Sequence, residues 1–119
     1  LYTVGADERL IGNFAFESEF GPVVGFENHS GRTYLGEGVK PLGRVIHGSG
    51  NNGEDGTEGA RYLNCFCTYS HGPVLPKNPA LCDGILAAAL TRKYGRAELV
   101  PLGDLSEREA HESVLKSLG

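Results

Sequence analysis

The stretch Asn64-Cys65-Phe66-Cys67-Thr68-Tyr69-Ser70-His71-Gly72-Pro73-Val74-Leu75-Pro76-Lys77-Asn78-Pro79 decides how this chain folds. It opens as an apolar run of β-formers that predicts a strand, delivers one histidine, His71, to the strand's C-terminal end, and stops at Gly72 and Pro73. Asn78 then predicts a helix cap, with Pro79 at the first helical position, where the missing N–H costs nothing. Leu81, Ile85, Ala88 and Ala89 supply that helix with an apolar stripe, and Gly95 ends it. A strand end beside a glycine turn is a place where a rigid sheet aims side chains into a cleft. Histidine titrates near neutrality, so His71 is a candidate for proton transfer.

Strands precede this unit. From Arg9 to Glu17 the chain alternates, with Leu10, Phe14 and Phe16 on one face and Asn13, Ala15 and Glu17 on the other. Phe20-Gly21-Pro22 turns it into a second strand, Val23 to Glu27. Leu42 to His47 predicts a third strand, and Arg61 to Tyr69 a long fourth with a break near Asn64. These connections are too short for crossover helices, so the strands should mostly pair antiparallel. After a linker from Leu99 to Leu105, a last helix runs from about Glu107 to Leu118. Ser106 and Glu109 have capping-box spacing there, and Ala110, Val114 and Leu118 give a thin apolar face that predicts loose docking.

With 119 residues the chain can build one modest core. It opens at Leu1 and contains no methionine, which predicts a piece of a longer protein. Eleven basic and fifteen acidic residues leave a net charge of −4, which provides no footprint for nucleic acid. No apolar run approaches the roughly 18 residues a membrane helix needs, so membrane insertion is not expected. Three cysteines without disulfide-framework spacing predict a reducing, cytoplasmic compartment.

Three motif matches weaken once their chemistry is considered. Gly48-Ser49-Gly50-Asn51-Asn52-Gly53 fits G-x-G-x-x-G, but a dinucleotide site needs a helix N-terminus directly after the glycines. Here Glu54, Asp55 and Glu58 follow instead, so a flexible loop at the border of a cleft is expected. Asn28-His29-Ser30 is a formal glycosylation sequon with no secretory context. Cys65, Cys67, His71 and Cys82 could in principle offer four zinc ligands. Cys82, however, sits on the helix stripe beside Leu81, and free cysteines are commonly small buried hydrophobes. No metal is expected.

Val24-Gly25-Phe26-Glu27-Asn28-His29-Ser30-Gly31-Arg32-Thr33, taken with Thr68-Tyr69-Ser70-His71-Gly72, resembles the class I glutamine amidotransferases of the cobyric-acid-synthase type. Members of that family carry an aromatic-Glu-x-His-x-Gly-Arg-Thr segment, then a strand ending in Thr-Tyr-x-His-Gly. The resemblance is closer still to the glutaminase subunits of lipid II isoglutaminyl synthases. Those show Gly-Phe-Glu-Asn-His, a Gly-Asn-Asn loop and His-Gly-Pro-x-Leu-Pro-Lys-Asn, found here in the same order at residues 25–29, 50–52 and 71–78. It extends over roughly residues 9 to 95.

The resemblance implies an α/β, flavodoxin-like three-layer amidotransferase domain. This chain would be its C-terminal portion, several antiparallel strands followed by two helices, with residues 1–95 in the domain and 96–119 forming a linker and C-terminal helix. It implies L-glutamine as substrate, no cofactor, and ammonia passed to an ATP-dependent ligase. The closest resemblance makes that partner a Mur-ligase-like synthetase subunit amidating the D-glutamate of the lipid II stem peptide. The alternatives are amidation of corrin side chains in cobyric or cobyrinic acid synthesis, and a non-catalytic ligase-binding module.

In this family a cysteine thiolate attacks the glutamine carboxamide from a strand-to-helix elbow whose backbone N–H groups stabilise the oxyanion. His71 matches the family's acid/base histidine. Cys65 and Cys67 lie inside the predicted strand and Cys82 inside a helix, so none fits the elbow. The nucleophile is therefore expected upstream of Leu1, the three cysteines are expected to be buried, and the chain alone is expected to be inactive. The wider class places a carboxylate two residues after the histidine, but Pro73 stands there. A backbone carbonyl or a partner's carboxylate would then orient His71. Arg9 resembles the arginine of the isoglutaminyl synthase glutaminases and could grip the α-carboxylate of glutamine. Its bland alternative is a solvated cation paired with Asp7 or Glu8.

Overall fold

The alternating N-terminal third forms a long antiparallel hairpin, β1 (Tyr2–Ser18) and β2 (Gly21–Tyr34), in a computed structural model that describes residues 1–119. Both strands extend well beyond the expected Arg9–Glu17 and Val23–Glu27. The extension lacks a buried apolar face, which is why alternation misses it. Polar and aromatic cross-strand pairs hold it instead: Thr3 and Thr33 share a 2.7 Å hydroxyl hydrogen bond, and Tyr2 stacks on Tyr34 at 5.4 Å.

β3 (Gly43–His47) pairs with β1 on the side away from β2, and the short β4 (Thr57–Glu58) pairs with β3. The sheet order is thus β2-β1-β3-β4, antiparallel throughout, with β2 on an edge. The expected fourth strand divides in two. β5 (Ala60–Tyr62) and β6 (Cys65–Cys67) form a separate ribbon, turned by Leu63-Asn64 with Leu63 at φ 51°. A two-residue hairpin turn of this kind demands positive φ.

Phe14, Phe16, Val23, Leu42 and Leu81 make the core, with Phe20, Phe66, Val74 and Ile85 packed around them. Leu81 comes from α2 (Pro79–Tyr94), which ends at Gly95 in the left-handed conformation, as the sequence predicts. A single turn, α1 (Val74–Lys77), precedes it, and α3 (Leu105–Ser117) closes the chain. Ser106 lies inside α3 rather than capping it; Asp104 holds the cap position without a side-chain cap bond.

Asn78 sits at the N-cap position of α2 but does not cap it with its side chain. Its buried carboxamide instead pairs with the β2 edge as another strand would. Val24 N–H donates to Asn78 Oδ1 at 2.8 Å, and Asn78 Nδ2 donates to Val24 O at 2.8 Å and to Val74 O at 2.7 Å. Edge backbone groups need partners once buried, which outranks a helix-end bond that water can replace. His111 of α3 adds a hydrogen bond from Nδ1 to Lys77 O (2.9 Å), with Asn78 Oδ1 at 3.1 Å. The last helix is therefore anchored by a specific bond that its thin apolar face did not announce.

Asn78→Ala strands a buried N–H and C=O on Val24, and should lower unfolding free energy by about 3 kcal/mol. Urea unfolding of the full-length protein measures this, and a loss below about 1 kcal/mol would show that the edge is satisfied some other way.

Candidate active site

Two residues beyond Val24, the β2 edge takes a second partner. Phe26 N–H donates to His71 O at 3.3 Å and His71 N–H donates to Phe26 O at 2.9 Å, so the two backbones form an antiparallel bridge. Along β2, Glu27 and His29 are buried while Phe26 and Asn28 are exposed. Residues directly opposed across an antiparallel pair share a face. His71 therefore shares the open face of Phe26 and Asn28, and is itself exposed.

Arg9 reaches the same face from the other side of β2. It does not head β1 but lies in a bulge, where the register passes from Gly5↔Gly31 to Leu10↔His29 and residues 6–9 face Ser30 alone. Its partner is neither Asp7 nor Glu8. Arg9 Nε donates to Asn28 Oδ1 at 2.9 Å and Nη2 to Asn28 O at 3.0 Å. The two residues singled out from the sequence thus attach to β2 two positions apart, at Asn28 and Phe26, on one exposed face.

The buried face of β2 fixes the surroundings. Glu27 accepts the N–H of Ser49 (2.8 Å) and of Gly50 (2.9 Å), so an internal carboxylate occupies the amides a phosphate would need. The loop is not flexible in the expected sense. Asn51 and Asn52 are buried, with Asn51 donating to Thr57 Oγ1 and Gly59 O while accepting from Gly59 N–H. No helix follows the glycines. His29 stacks on Tyr69, ring centroids 3.7 Å apart and planes within 8°, and the Tyr69 hydroxyl bonds Thr33 at 2.7 Å.

The segment leading into His71 is held from below by Glu58. This carboxyl is fully buried, and its Oε1 accepts from Thr68 Oγ1 (2.7 Å) and Tyr69 N–H (2.8 Å), whereas Oε2 has no partner. Burial pushes the Glu58 carboxyl above the ordinary carboxylate range, against the lowering pull of those hydrogen bonds. A Cβ on Gly25 would collide with the Ser70 hydroxyl, so the segment lies directly against β2.

The cysteines depart from expectation. Cys65 and Cys67 are exposed and Cys82 half-buried. In the β5–β6 ribbon Phe66 takes the inward position, with Arg61 over its ring at 3.7 Å, and alternation turns both neighbouring thiols outward. All three lie within β6 or α2, none at a strand-to-helix turn.

Residues 1–79 match the CobB/CobQ-like glutamine amidotransferase domain. The chain belongs to this family. It is 50% identical over 93 residues to the lipid II isoglutaminyl synthase (glutamine-hydrolyzing) subunit GatD of Staphylococcus aureus (strain N315), covering 77% of this chain and 37% of that protein. It is 41% identical over 116 residues to the GatD subunit of Streptococcus pneumoniae (strain ATCC BAA-255 / R6), covering 93% of this chain and 45% of that one. A probable cobyric acid synthase of Methanothermobacter thermautotrophicus is 46% identical over 65 residues, 54% of this chain and 13% of the relative. The chain spans less than half the length of these relatives. Its mixed α/β build, an antiparallel sheet followed by helices, fits the flavodoxin-like class I amidotransferase domain of the family.

For a carboxyl whose folded pKa is raised, the folded state holds its proton longer. That contribution to stability is present below the unfolded pKa and is lost as pH rises through the folded one. Glu58→Gln removes the titration, so the variant should gain stability relative to wild type as pH climbs from about 4 towards 7. Denaturant unfolding at both pH values checks the sign, and a difference independent of pH would contradict it.

Proposed function

We propose that the protein containing this chain is a glutamine amidotransferase in which His71 is the general acid/base and Arg9 holds the substrate. The observation that carries the reading is the attachment of His71 and Arg9, both exposed, to β2 two positions apart, at Phe26 and Asn28, in a chain of this family. The chemistry is acyl transfer from nitrogen to sulfur to water. A thiolate attacks the carboxamide carbon, the C–N bond breaks, and protonated His71 gives its proton to the departing ammonia. His71 then takes a proton from water as it opens the thioester, releasing glutamate and the thiolate.

Arg9 spends two of its five N–H donors on Asn28, which leaves a preset guanidinium able to meet the α-carboxylate of glutamine. Cys65, Cys67 and Cys82 lack the turn geometry of an oxyanion-stabilising elbow, which supports a different cysteine as the nucleophile and an inactive 119-residue chain.

The two GatD relatives, each a subunit of a glutamine-hydrolyzing lipid II isoglutaminyl synthase, favour ammonia delivery to a synthetase partner. The family resemblance implies that this partner is Mur-ligase-like and that lipid II D-glutamate is amidated, and the three cysteines without disulfide spacing favour the cytoplasm. The cobyric acid synthase relative carries a second reading, corrin amidation, on a shorter match. We assign residues 1–95 to the amidotransferase domain and residues 96–119 to a linker and C-terminal helix. No helix is long and apolar enough to cross a membrane.

His71→Ala in the full-length protein with its synthetase should lower glutamine hydrolysis by at least ~100-fold while leaving the fold intact. Ammonia release measures it, and activity within about threefold of wild type would sink the assignment in favour of a non-catalytic module. Arg9→Ala should raise KM for glutamine at least ~10-fold, the scale of one lost charge-assisted contact. An unchanged KM would reduce Arg9 to a structural clasp on Asn28.

A further inference from the structure

The segment from Thr68 to His71 leaves the β5–β6 ribbon, since β6 ends at Cys67, and crosses to the β2 edge with no strand pairing the backbone of Thr68, Tyr69 or Ser70. Three consecutive amides along this crossing nevertheless have defined acceptors. Tyr69 N–H donates to Glu58 Oε1 at 2.8 Å. Ser70 N–H donates to Thr68 Oγ1 at 2.9 Å, and that hydroxyl donates onward to the same Glu58 oxygen at 2.7 Å. His71 N–H donates to Phe26 O. One carboxyl oxygen thus fixes the two residues that set the direction in which His71 arrives.

Glu58 is a costly choice for a purely structural position. It is fully buried, its second oxygen has no partner, and burial of an incompletely satisfied carboxyl works against stability. It also stands near a second buried carboxylate, Glu27, whose charge adds to the difficulty. An apolar side chain of similar volume would fill the space at less cost but would leave Tyr69 N–H and Thr68 Oγ1 without an acceptor. The Glu58 backbone is itself held: β4 pairs it with Gly43 of β3, and the Asn51 carboxamide grips Gly59 next to it.

We propose that Glu58 is a positioning residue for His71, standing in for the missing strand neighbour by accepting from Tyr69 N–H and Thr68 Oγ1. Glu58 does not touch substrate; it sets the angle and depth at which the imidazole meets the open face of β2. The proposal rests on the reading of His71 as the acid/base. Misplacement of a reacting group by about 1 Å can cost ~100-fold in rate, so loss of this acceptor should appear in kcat rather than in KM.

The test uses the full-length protein with its synthetase and compares Glu58→Leu, Glu58→Gln, Thr68→Val and His71→Ala in one series. Glutamine retains an acceptor oxygen for both donors, while leucine fills the volume without one. Glu58→Leu should lower kcat for glutamine hydrolysis ~10- to 100-fold with KM within about threefold, and Glu58→Gln should restore kcat to within about threefold of wild type. Thr68→Val removes the hydroxyl relay to Ser70 but leaves the Tyr69 bond, and should lower kcat at least ~3-fold, less than Glu58→Leu. If Glu58→Leu does not fold, the Gln and Val variants carry the comparison.

The imidazole proton resonances of His71 should stay at their wild-type positions in Glu58→Gln and move in Glu58→Leu or Thr68→Val. Unchanged kcat in Glu58→Leu, or in Thr68→Val where the Leu variant does not fold, overturns the proposal. So does Glu58→Gln as impaired as the most impaired folded variant. Full activity in His71→Ala would instead defeat the acid/base reading, and the His71 resonances alone would then decide whether Glu58 positions this residue.

Discussion

The free edge of β2 is the constraint on which the rest of this structure depends. An edge strand presents a row of N–H and C=O groups that must find partners if they are to be buried. Here no further strand supplies them. Val24 is answered by the carboxamide of Asn78 and Phe26 by the backbone of His71, so the segment between residues 71 and 78 is laid along the edge at both of its ends. The sheet thereby gains a closed edge, α2 gains its starting point over the Phe14–Phe16 core, and the imidazole gains a fixed place on the open face.

The two faces of β2 divide the work. Inward, Glu27 holds the amides of the Ser49–Gly50 loop and His29 stacks on Tyr69, so the layer beneath the site is polar, with His29 Nε2, Glu58 Oε2 and the Ser70 hydroxyl left without partners. Outward, Phe26, Asn28, Arg9 and His71 remain accessible. Period-two alternation in Phe26-Glu27-Asn28-His29 accomplishes this separation, placing the family's motif residues alternately in support and in display.

Much of this was legible in the sequence. The alternation of Leu10, Phe14 and Phe16 and the Pro79–Tyr94 helix rest on local chemistry and hold their places, whereas β6 ends at Cys67, four residues short of His71, so His71 is not the strand end that the Gly72-Pro73 stop predicts. Interactions that join distant residues were not legible. Asn78 reads as a cap because caps are local, whereas its real partner lies 54 residues away. Glu58 reads as part of an acidic loop, because nothing beside it in sequence reveals that Thr68 and Tyr69 donate to it. The cysteines of β6 were assigned to the interior by residue type, and strand parity around Phe66 put them outside. Arg9 was found through resemblance to the isoglutaminyl synthase glutaminases, and its bulge has no signature in the pattern of Ala6-Asp7-Glu8.

In the proposed function, His71 serves a thiolate other than the three in this chain. A diazoketone analogue of glutamine alkylates the attacking thiolate irreversibly, so peptide mass mapping of the labelled full-length protein identifies it. One glutamine-protectable adduct is expected on a cysteine other than Cys65, Cys67 and Cys82, formed at least ~10-fold more slowly when His71 is replaced by alanine. A protectable adduct on any of those three cysteines, or labelling indifferent to His71, would contradict it.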